Sequence, residues 1–554
     1  MMGNFYVDTA ADLGGDGTTT ALTGEHCAFK TLAQVSAASF SPDDFIMFRK
    51  DRLWRELLDV NWSGTLGHPI TITSYGTGAQ PTITGTDIIT GWTQHEGNIW
   101  QADLATEPYV VIFDGEAGVI KTAHDDCTAS GHWAWEEGVL YCYSTTDPDT
   151  AFTDPGVEAG IRDCIDTGYT ANRNYIVLDD IAGYGSKNYS VFAYRATGWV
   201  VDGCTFTDHG RTGLYLRGVD NWTITGSTVT GIRTNNAVWR GIYFYADSEA
   251  NQSHHNTVTL STIQYWSGNS VHFQGSNSTY RTHDNVCTHN DLSHSASGLR
   301  LTFCDDSEVA YNTMDDCRPG GYPAAESYSM ALRSSSRNNV HHNTMSDSTQ
   351  GMEIWAYDGS APYTNDGPSD GNWVHRNKIY GMDNYGFLIY EGCCSYTRLE
   401  YNLIWGNKDA GIHITENTGA GVGNVIYNNT LYGNDTDNAG YADMYWGSAC
   451  AGWTFKNNIL MNTNRFCLHT HAGALFAHGN NHYYRETGDV VDINGTGYDI
   501  TEVVNWESTC TYNEPKFVST TPGSEDFHLQ SDSFCIDTAE DVGLETDIED
   551  NPIV

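Results

Sequence analysis

The sequence has little positive charge. Its 554 residues include 27 Lys and Arg against 70 Asp and Glu, a formal net charge of −43. Because a chain this acidic repels a polyphosphate backbone, we expect no nucleic-acid partner. It also gives no long-range attraction to a polyanionic sugar unless calcium or a local arginine cluster intervenes. The simplest role of the charge is to keep a β-rich surface soluble.

Long apolar runs are also absent. No stretch approaches the roughly 20 apolar residues that a transmembrane helix needs, so we predict no membrane span. The opening Met-Met-Gly-Asn-Phe has neither a basic n-region nor an apolar h-region, so we predict no signal peptide in this sequence. We expect an extracellular protein that is secreted, held on a cell surface or carried on a virion, after signal removal or by another export route.

Several functional signatures are missing. We find no phosphate-binding loop, dinucleotide fingerprint, nucleophile elbow or HExxH motif. The 14 cysteines include no pair at zinc spacing. They could fill a core as small apolar side chains or pair across neighbouring strands in an oxidising compartment, and the sequence leaves both open.

What the sequence does contain is a repeat between Tyr175 and Tyr484. A short β run, an Asn or Gly, an apolar step, a polar turn and a Gly-apolar-x-apolar-x strand recur in this order. The repeated asparagine lies at intervals of 22 to 34 residues. Its members are Asn256, Asn290, Asn312, Asn343, Asn377, Asn402, Asn429 and Asn458. A variable interval around a constant phrase is typical of a solenoid with loops inserted on one face.

The repeat predicts an all-β fold, a single-stranded right-handed parallel β-helix. Asparagine tolerates the left-handed backbone of a tight turn, and its amide can bond to the asparagine one coil away. A β-sandwich would show hairpin signals, and a propeller would have longer, more even blades. We assign residues 1–170 to an N-terminal cap, first coils and a small β insertion, 171–484 to the main helix, and 485–554 to C-terminal coils and a cap.

Three segments carry a resemblance to known proteins. They are Phe5-Tyr-Val-Asp8 with Phe29-Lys-Thr-Leu32, Ser74-Tyr-Gly-Thr-Gly78 and Asp547-Ile-Glu-Asp-Asn-Pro552. They resemble the large group of right-handed β-helix proteins that includes pectate-lyase-like polysaccharide lyases, glycoside hydrolases, epimerases and tailspike depolymerases. The resemblance covers nearly the whole chain and implies the fold. It does not choose among these activities, because one scaffold hosts many chemistries.

The Gly-apolar-x-apolar-x strands predict a binding surface. Outward side chains on successive coils form ladders about 4.8 Å apart, close to the size of a sugar ring, so a polysaccharide could lie along them. In the middle coils these positions carry aromatic, basic and acidic residues. The predicted substrate-binding residues are Tyr243, His272, Arg300, Arg333, Trp355, Tyr390 and His413. The alternative is an ordinary solvated face.

Four carboxylates near this surface are the catalytic candidates. Hydrolysis of a glycosidic bond needs a carboxylic acid and a carboxylate on either side of the scissile bond. Glu353 lies mid-surface, Asp305 and Asp306 about two coils away, and Glu391 about one coil the other way. The alternative for the paired aspartates is a turn or a calcium site. We predict no required cofactor and leave calcium open.

Two other functions compete with a hydrolase. A polysaccharide lyase needs a base and cations, and here Arg, His or Tyr with calcium would have to serve, because Lys378, Lys408 and Lys456 lie off the predicted surface. The segment Glu326–Ser335 resembles an alginate-lyase-type stretch, with Arg333 in place of its lysine. The third function is non-catalytic: a glycan-binding or structural β-helix in an adhesin, a tailspike or another extracellular assembly, which could be a homo-oligomer.

Overall fold

The computed structural model describes residues 2–169, 172–232, 240–249, 251–319, 327–356, 367–390, 394–415, 421–447, 451–471 and 475–551. The chain divides into two compact units. The first comprises Met1–Ser276, Asn290–Ala296 and Pro319–Glu326, and the second Asn277–His289, Ser297–Arg318 and Ser327–Val554. In both units the chain winds through three parallel sheets, which we call sheets A, B and C in the order in which each coil passes through them.

In the first unit all three sheets are built of short parallel strands. Sheet A contains Asn4–Val7, Phe45–Arg49, Ile70–Tyr75, Ile176–Asp179, Val200–Asp202, Thr223–Thr225 and Thr257–Thr259. Sheet B contains Leu53–Trp54, Thr82–Thr84, Ala182–Tyr184, Thr205–Thr207, Thr228–Thr230 and Thr262–Gln264. Sheet C contains Leu58–Asp59, Ile165–Asp166, Tyr189–Tyr194, Thr212–Arg217, Ile242–Ala246 and Asn269–Gly275.

The second unit repeats the pattern. Sheet A contains Val286–Thr288, Glu308–Ala310, Asn339–His341, Trp373–His375, Arg398–Glu400, Asn424–Tyr427, Ala451–Lys456 and Leu475–Gly479. Sheet B contains Thr313–Asp315, Thr344–Ser346, Lys378–Tyr380, Leu403–Trp405, Thr430–Tyr432, Ile459–Met461 and His482–Tyr484. Sheet C contains Ser297–Thr302, Tyr328–Arg333, Met352–Trp355, Phe387–Ile389, Ile412–Ile414, Ala442–Trp446, Phe466–Thr470, Asp489–Ile493 and the antiparallel Thr496–Asp499.

Smaller elements flank the coils. A four-stranded sheet holds Thr86–Ile89, Val111–Phe113, Glu116–Ala117 and Val157–Gly160. A five-stranded N-terminal sheet holds Thr93–Glu96, Ile99–Asp103, Val119–Ile120, His132–Glu136 and Val139–Tyr143. The strand pairs Thr282–His283 with Cys304–Asp305, and Phe517–Ser519 with Asp526–Leu529, lie in the second unit. The helical segments are Leu32–Ala37, Pro148–Ala151, His124–Asp126 and Val503–Asn505.

Buried asparagines connect the turns between sheets A and B. In the second unit Asn343 Nδ2 donates to Asn377 Oδ1 at 3.0 Å, and Asn377 Nδ2 donates to Asn402 Oδ1 at 3.0 Å. The series continues to Asn429 and Asn458 with the same geometry. Each amide thus hydrogen-bonds to the asparagine of the next coil, as the sequence predicted, and these bonds fix the register between coils.

Two details of the asparagine prediction are wrong. The left-handed residue of each turn is the one before the asparagine, such as His342 at φ 53° and Arg376 at φ 55°. The asparagine therefore contributes its amide rather than an unusual backbone. Asn256 belongs to a different turn, the one before sheet A, where its Oδ1 accepts from the Trp222 backbone N–H at 3.1 Å.

The interior is apolar because each strand alternates its side chains. The strand Met352–Trp355 buries Met352 and Ile354, and Ile412–Ile414 buries both of its isoleucines. Of the 14 cysteines, 12 are described, and all of these except Cys535 are buried. None of the helices among the described residues could cross a bilayer. The fold class predicted from the sequence, a right-handed parallel β-helix, is confirmed.

Candidate functional site

The outward face of sheet C in the second unit carries most of the predicted site residues. Backbone pairing places Arg300, Ala331 and Glu353 side by side on three successive strands. The same row continues through Leu388 to His413. We call this row the sheet C ladder. It matches the alignment made from the sequence.

Glu353 and Arg333 form an ion pair on neighbouring strands beside this row. Arg333 Nη2 donates to Glu353 Oε2 at 2.7 Å, and the two residues are only 2% and 7% exposed. The guanidinium lies 4.8 Å from the centre of the Trp355 ring and 5.3 Å from that of Tyr328. An arginine held between two aromatic faces has little freedom to move, so the carboxylate is fixed in position.

Asp305 and Asp306 have arginine partners of their own. Arg281 binds Asp305 with two nitrogens, at 2.6 Å and 2.5 Å, and the Ser336 backbone N–H donates to the same carboxylate at 2.8 Å. Arg337 contacts both aspartates, at 3.3 Å and 2.7 Å. We call this group the arginine–aspartate turn. Its contacts resemble a structural clamp, because Asp305 accepts four hydrogen bonds and Asp306 accepts two.

The predicted residues after Glu353 are only partly described. Trp355 and Tyr390 lie with their ring centres 5.9 Å apart, and Tyr390 is 36% exposed. These two rings offer flat apolar faces beside the ion pair. Glu391 lies outside the described residues.

His413 is the centre of a tyrosine cluster. Its ring centre lies 4.6 Å from that of Tyr385, 5.4 Å from Tyr441 and 4.7 Å from Tyr445. Tyr385 Oη donates to Tyr441 Oη at 2.9 Å. His413 Nδ1 is buried and makes no hydrogen bond with the described residues.

Burial controls the protonation of this cluster. It lowers the pKa of His413 to about 4, so the imidazole is neutral at pH 7. Burial, followed by the hydrogen bond to Tyr441, raises the pKa of Tyr385, which keeps that phenol protonated. Burial and the nearby Asp435 also raise the pKa of Asp409. A neutral histidine beside protonated tyrosines can take up and return a proton.

Sequence reasoning missed the tyrosines of this cluster. Tyr385 and Tyr441 lie just before strands of sheet C, so an alignment of strand positions does not reach them. Tyr445 pairs directly with His413. It could have been found by extending the alignment one coil, although its strand lacks a glycine at the usual place.

The first unit has a different sheet C face. Tyr215, Tyr243 and His272 occupy one row of paired strands, as predicted. Tyr215 and Tyr243 stack at 5.3 Å, and Arg240 Nε donates to His272 Nδ1 at 2.9 Å. His272 is only 1% exposed, so a glycan could reach Tyr243 more readily than His272.

The lysines lie on other parts of the coil. Lys378 is on sheet B, Lys456 on sheet A and Lys408 in a turn, where its Nζ is 2.6 Å from Asp383. A lysine-based chemistry on the sheet C ladder is therefore unsupported among the described residues.

Comparison with known proteins agrees with the geometry. The family model "Right handed beta helix region" matches residues 240–431. A solved glycoside hydrolase aligns with a TM-score of 0.52 and 12% identity, over 78% of this chain and 97% of its own. XylC in complex with xylose aligns with a TM-score of 0.48 and 12% identity, over 94% and 88%. The family match and the aligned glycoside hydrolase support the right-handed parallel β-helix fold of this chain.

The comparisons support the fold and do not identify an activity. No curated protein matches the sequence. A likeness at 12% identity carries no activity with it, because this scaffold hosts many chemistries. The function has to be argued from the side chains on the sheet C ladder.

Proposed function

We propose that the protein binds an extended polysaccharide along sheet C of its second unit and cleaves glycosidic bonds by hydrolysis. The observation that carries the proposal is the Arg333–Glu353 pair, a nearly buried carboxylate fixed on an outward ladder beside aromatic rings. Trp355 and Tyr390 would stack on sugar rings, Arg300 would orient hydroxyl groups, and Arg333, predicted to bind substrate, would instead hold Glu353 in place. We expect the substrate, and so the protein, outside the cell.

Glu353 is assigned the role of the reacting carboxylate. Because Arg333 holds one of its oxygens, it suits attack on the sugar or activation of water better than proton donation. Hydrolysis also needs an acid for the leaving oxygen. Glu391 is the candidate from the sequence, whereas Asp305 and Asp306 are occupied by arginines. The fold likeness to a glycoside hydrolase supports the scaffold for this reaction.

Eliminative cleavage is the second candidate, and the His413 cluster is the observation in its favour. A lyase removes a proton beside a uronate carboxylate and needs a neutral base with cations nearby. His413 would supply the neutral base, and calcium would supply the cation, because Arg333 is three strands away and is paired with Glu353. Binding without cleavage is the third outcome that an experiment should separate.

The test is a panel of neutral and acidic polysaccharides incubated with the full-length protein. New reducing ends without the ultraviolet absorbance of an unsaturated sugar, lost in Glu353→Gln, would support hydrolysis. Reducing ends with that absorbance, lost in His413→Ala, would replace hydrolysis with elimination. Parallel reactions with calcium or with a chelator decide whether calcium takes part.

Two controls keep the result specific. Glu308→Gln removes an exposed carboxylate on sheet A whose one ion-pair partner in the described part of the chain is His341, at 3.3 Å, and it should leave activity unchanged. Glycan retained on the wild-type protein without any new reducing ends would contradict catalysis and leave a binding protein.

A further inference from the structure

Two histidines and a glutamate converge in the five-stranded N-terminal sheet. His95 and Glu96 close the strand Thr93–Glu96, and His124 opens the helical turn His124–Asp126. One ligand atom from each of the three lies within 4.8 Å of the other two. The strand and the turn are about 30 residues apart in sequence, so folding brings these side chains together.

His124 is held in one orientation by two neighbours. Its Nδ1 lies 2.8 Å from Glu136 Oε1, which also accepts the His124 backbone N–H at 2.6 Å. Its ring stacks on Tyr141 at 4.7 Å and 26°. A carboxylate on one ring nitrogen fixes the tautomer and leaves the other nitrogen for a metal, a common arrangement behind zinc-bound histidines.

His95 faces this fixed ring. Its centre lies 5.0 Å from that of His124, edge-on, and 5.3 Å from that of Tyr141. His95 and Glu96 are exposed and can turn without moving the backbone. Asp125 places Oδ1 3.4 Å from His124 Nε2 and offers a further oxygen. Tetrahedral zinc needs ligand atoms about 2.0–2.2 Å from the metal, within reach of small side-chain rotations.

We propose that His95, Glu96 and His124 bind a divalent transition metal of the zinc class, with Glu136 positioning His124. Imidazole ligands favour zinc over calcium and magnesium, which prefer oxygen alone. The metal would fasten the strand Thr93–Glu96 to the turn His124–Asp126. This site does not depend on the proposed glycan chemistry, and its test does not need a substrate.

A second histidine cluster in the first unit is a weaker candidate. Asp220 Oδ1 lies 2.6 Å from His254 Nδ1, and the Nδ1 atoms of His254 and His255 are 2.7 Å apart. The adjacent pair His341 and His342 shows the same contact at 2.8 Å. This contact thus recurs for neighbouring histidines at a turn and does not by itself indicate a metal.

The test is calorimetric titration of zinc into the full-length protein after chelator treatment. Asp220→Asn serves as the background, so that the second cluster does not add a binding event. We expect one zinc in this background, an affinity at least about 10-fold weaker in His95→Ala and His124→Ala, and about 10–100-fold weaker in Glu136→Gln. The visible absorbance of bound Co²⁺, lost in His95→Ala of the otherwise native chain, gives a second readout.

The matched control is His132→Ala. His132 lies in the same sheet, where its Nδ1 accepts from the Thr128 backbone N–H at 3.1 Å, and it is outside the cluster. His132→Ala should bind zinc with the same affinity as the Asp220→Asn background. Equal zinc affinity in His95→Ala and His132→Ala, no zinc binding at all, or equally tight calcium binding would each overturn the proposal.

Discussion

Two arginine–carboxylate groups in the second unit use the same chemistry in different settings. In the arginine–aspartate turn, Arg281 and Arg337 surround Asp305, which is 7% exposed, the same fraction as Glu353. On the sheet C ladder, one arginine holds Glu353, and aromatic rings surround the pair. A carboxylate fully occupied by donors stabilises a turn. A carboxylate held from one side keeps an oxygen for chemistry.

The largest expected effect is on the rate of cleavage, which should distinguish the Arg333–Glu353 pair from the arginine–aspartate turn. Glu353→Gln should lower the rate of cleavage about 10³-fold or more, as loss of a catalytic group does, while circular dichroism stays native. Asp305→Asn should leave the rate of the folded protein within about twofold if its role is structural. Equal losses of rate in the two variants would contradict the distinction.

The next largest effect is on the free energy of unfolding, which should also differ between the two groups. Asp305→Asn removes the charge partner of Arg281, whereas Arg337 keeps Asp306, so we expect the free energy of unfolding to fall by about 3–5 kcal/mol. Glu353→Gln weakens the one hydrogen bond from Arg333, whereas Asp305 accepts four, so we expect a smaller loss of about 1–3 kcal/mol. Urea unfolding measures both. A larger loss in Glu353→Gln would mean that the ladder pair is the structural one.

Acid should affect the ladder through His413. Its pKa is lowered to about 4 in the folded protein, whereas an unfolded histidine titrates near about 6.5. The unfolded chain therefore takes up a proton first as pH falls. The stabilising contribution of neutral His413 is complete above about pH 6.5 and is lost as the pH falls towards 4.

Urea unfolding at neutral and acid pH measures this contribution. His413→Gln should flatten the loss of stability between about pH 6.5 and 4. The control is His289→Gln, at an exposed position where the ring stacks on Tyr311, and it should change the profile less than His413→Gln does. If the two variants lose stability equally with acid, His413 does not titrate as described.

The smallest effect concerns the aromatic rings. Trp355→Ala should weaken glycan binding by about 2- to 12-fold, because a lost stacking contact costs about 0.5–1.5 kcal/mol. Trp405→Ala removes a similar ring from sheet B, where it stacks on Tyr380 at 4.2 Å, and should not change binding. Affinity measurements on the two variants show which face the glycan uses. A loss in Trp405→Ala alone would move the binding surface to sheet B.

The fold and the ladder were predictable because they depend on local patterns. A strand period of two and a recurrent asparagine are visible in the sequence, and they gave the row from Arg300 through Glu353 to His413 correctly. The asparagine series failed only at Asn256, where a similar phrase occurs in another turn. A short repeated motif does not show which turn of the coil it belongs to.

The ion pairs were not predictable, because loop lengths set them. Arg281 lies 24 residues before Asp305, and Arg337 lies 32 residues after it. Because the two intervals differ, no regular spacing in the sequence indicates these contacts. The arginine that holds Glu353 was predicted to bind substrate, since a sequence shows an outward residue but not which neighbour it bonds. Two of the three tyrosines around His413, Tyr385 and Tyr441, come from turns, which the repeat does not describe.

The asparagine series has a consequence for how such a protein can change over generations. Neighbouring members in the second unit are 34, 25, 27 and 29 residues apart, yet their amides meet at nearly the same distance. Gene segments encoding one coil can therefore be duplicated or lost while the junction stays compatible. Each such event would lengthen or shorten the outer face by the spacing of one coil.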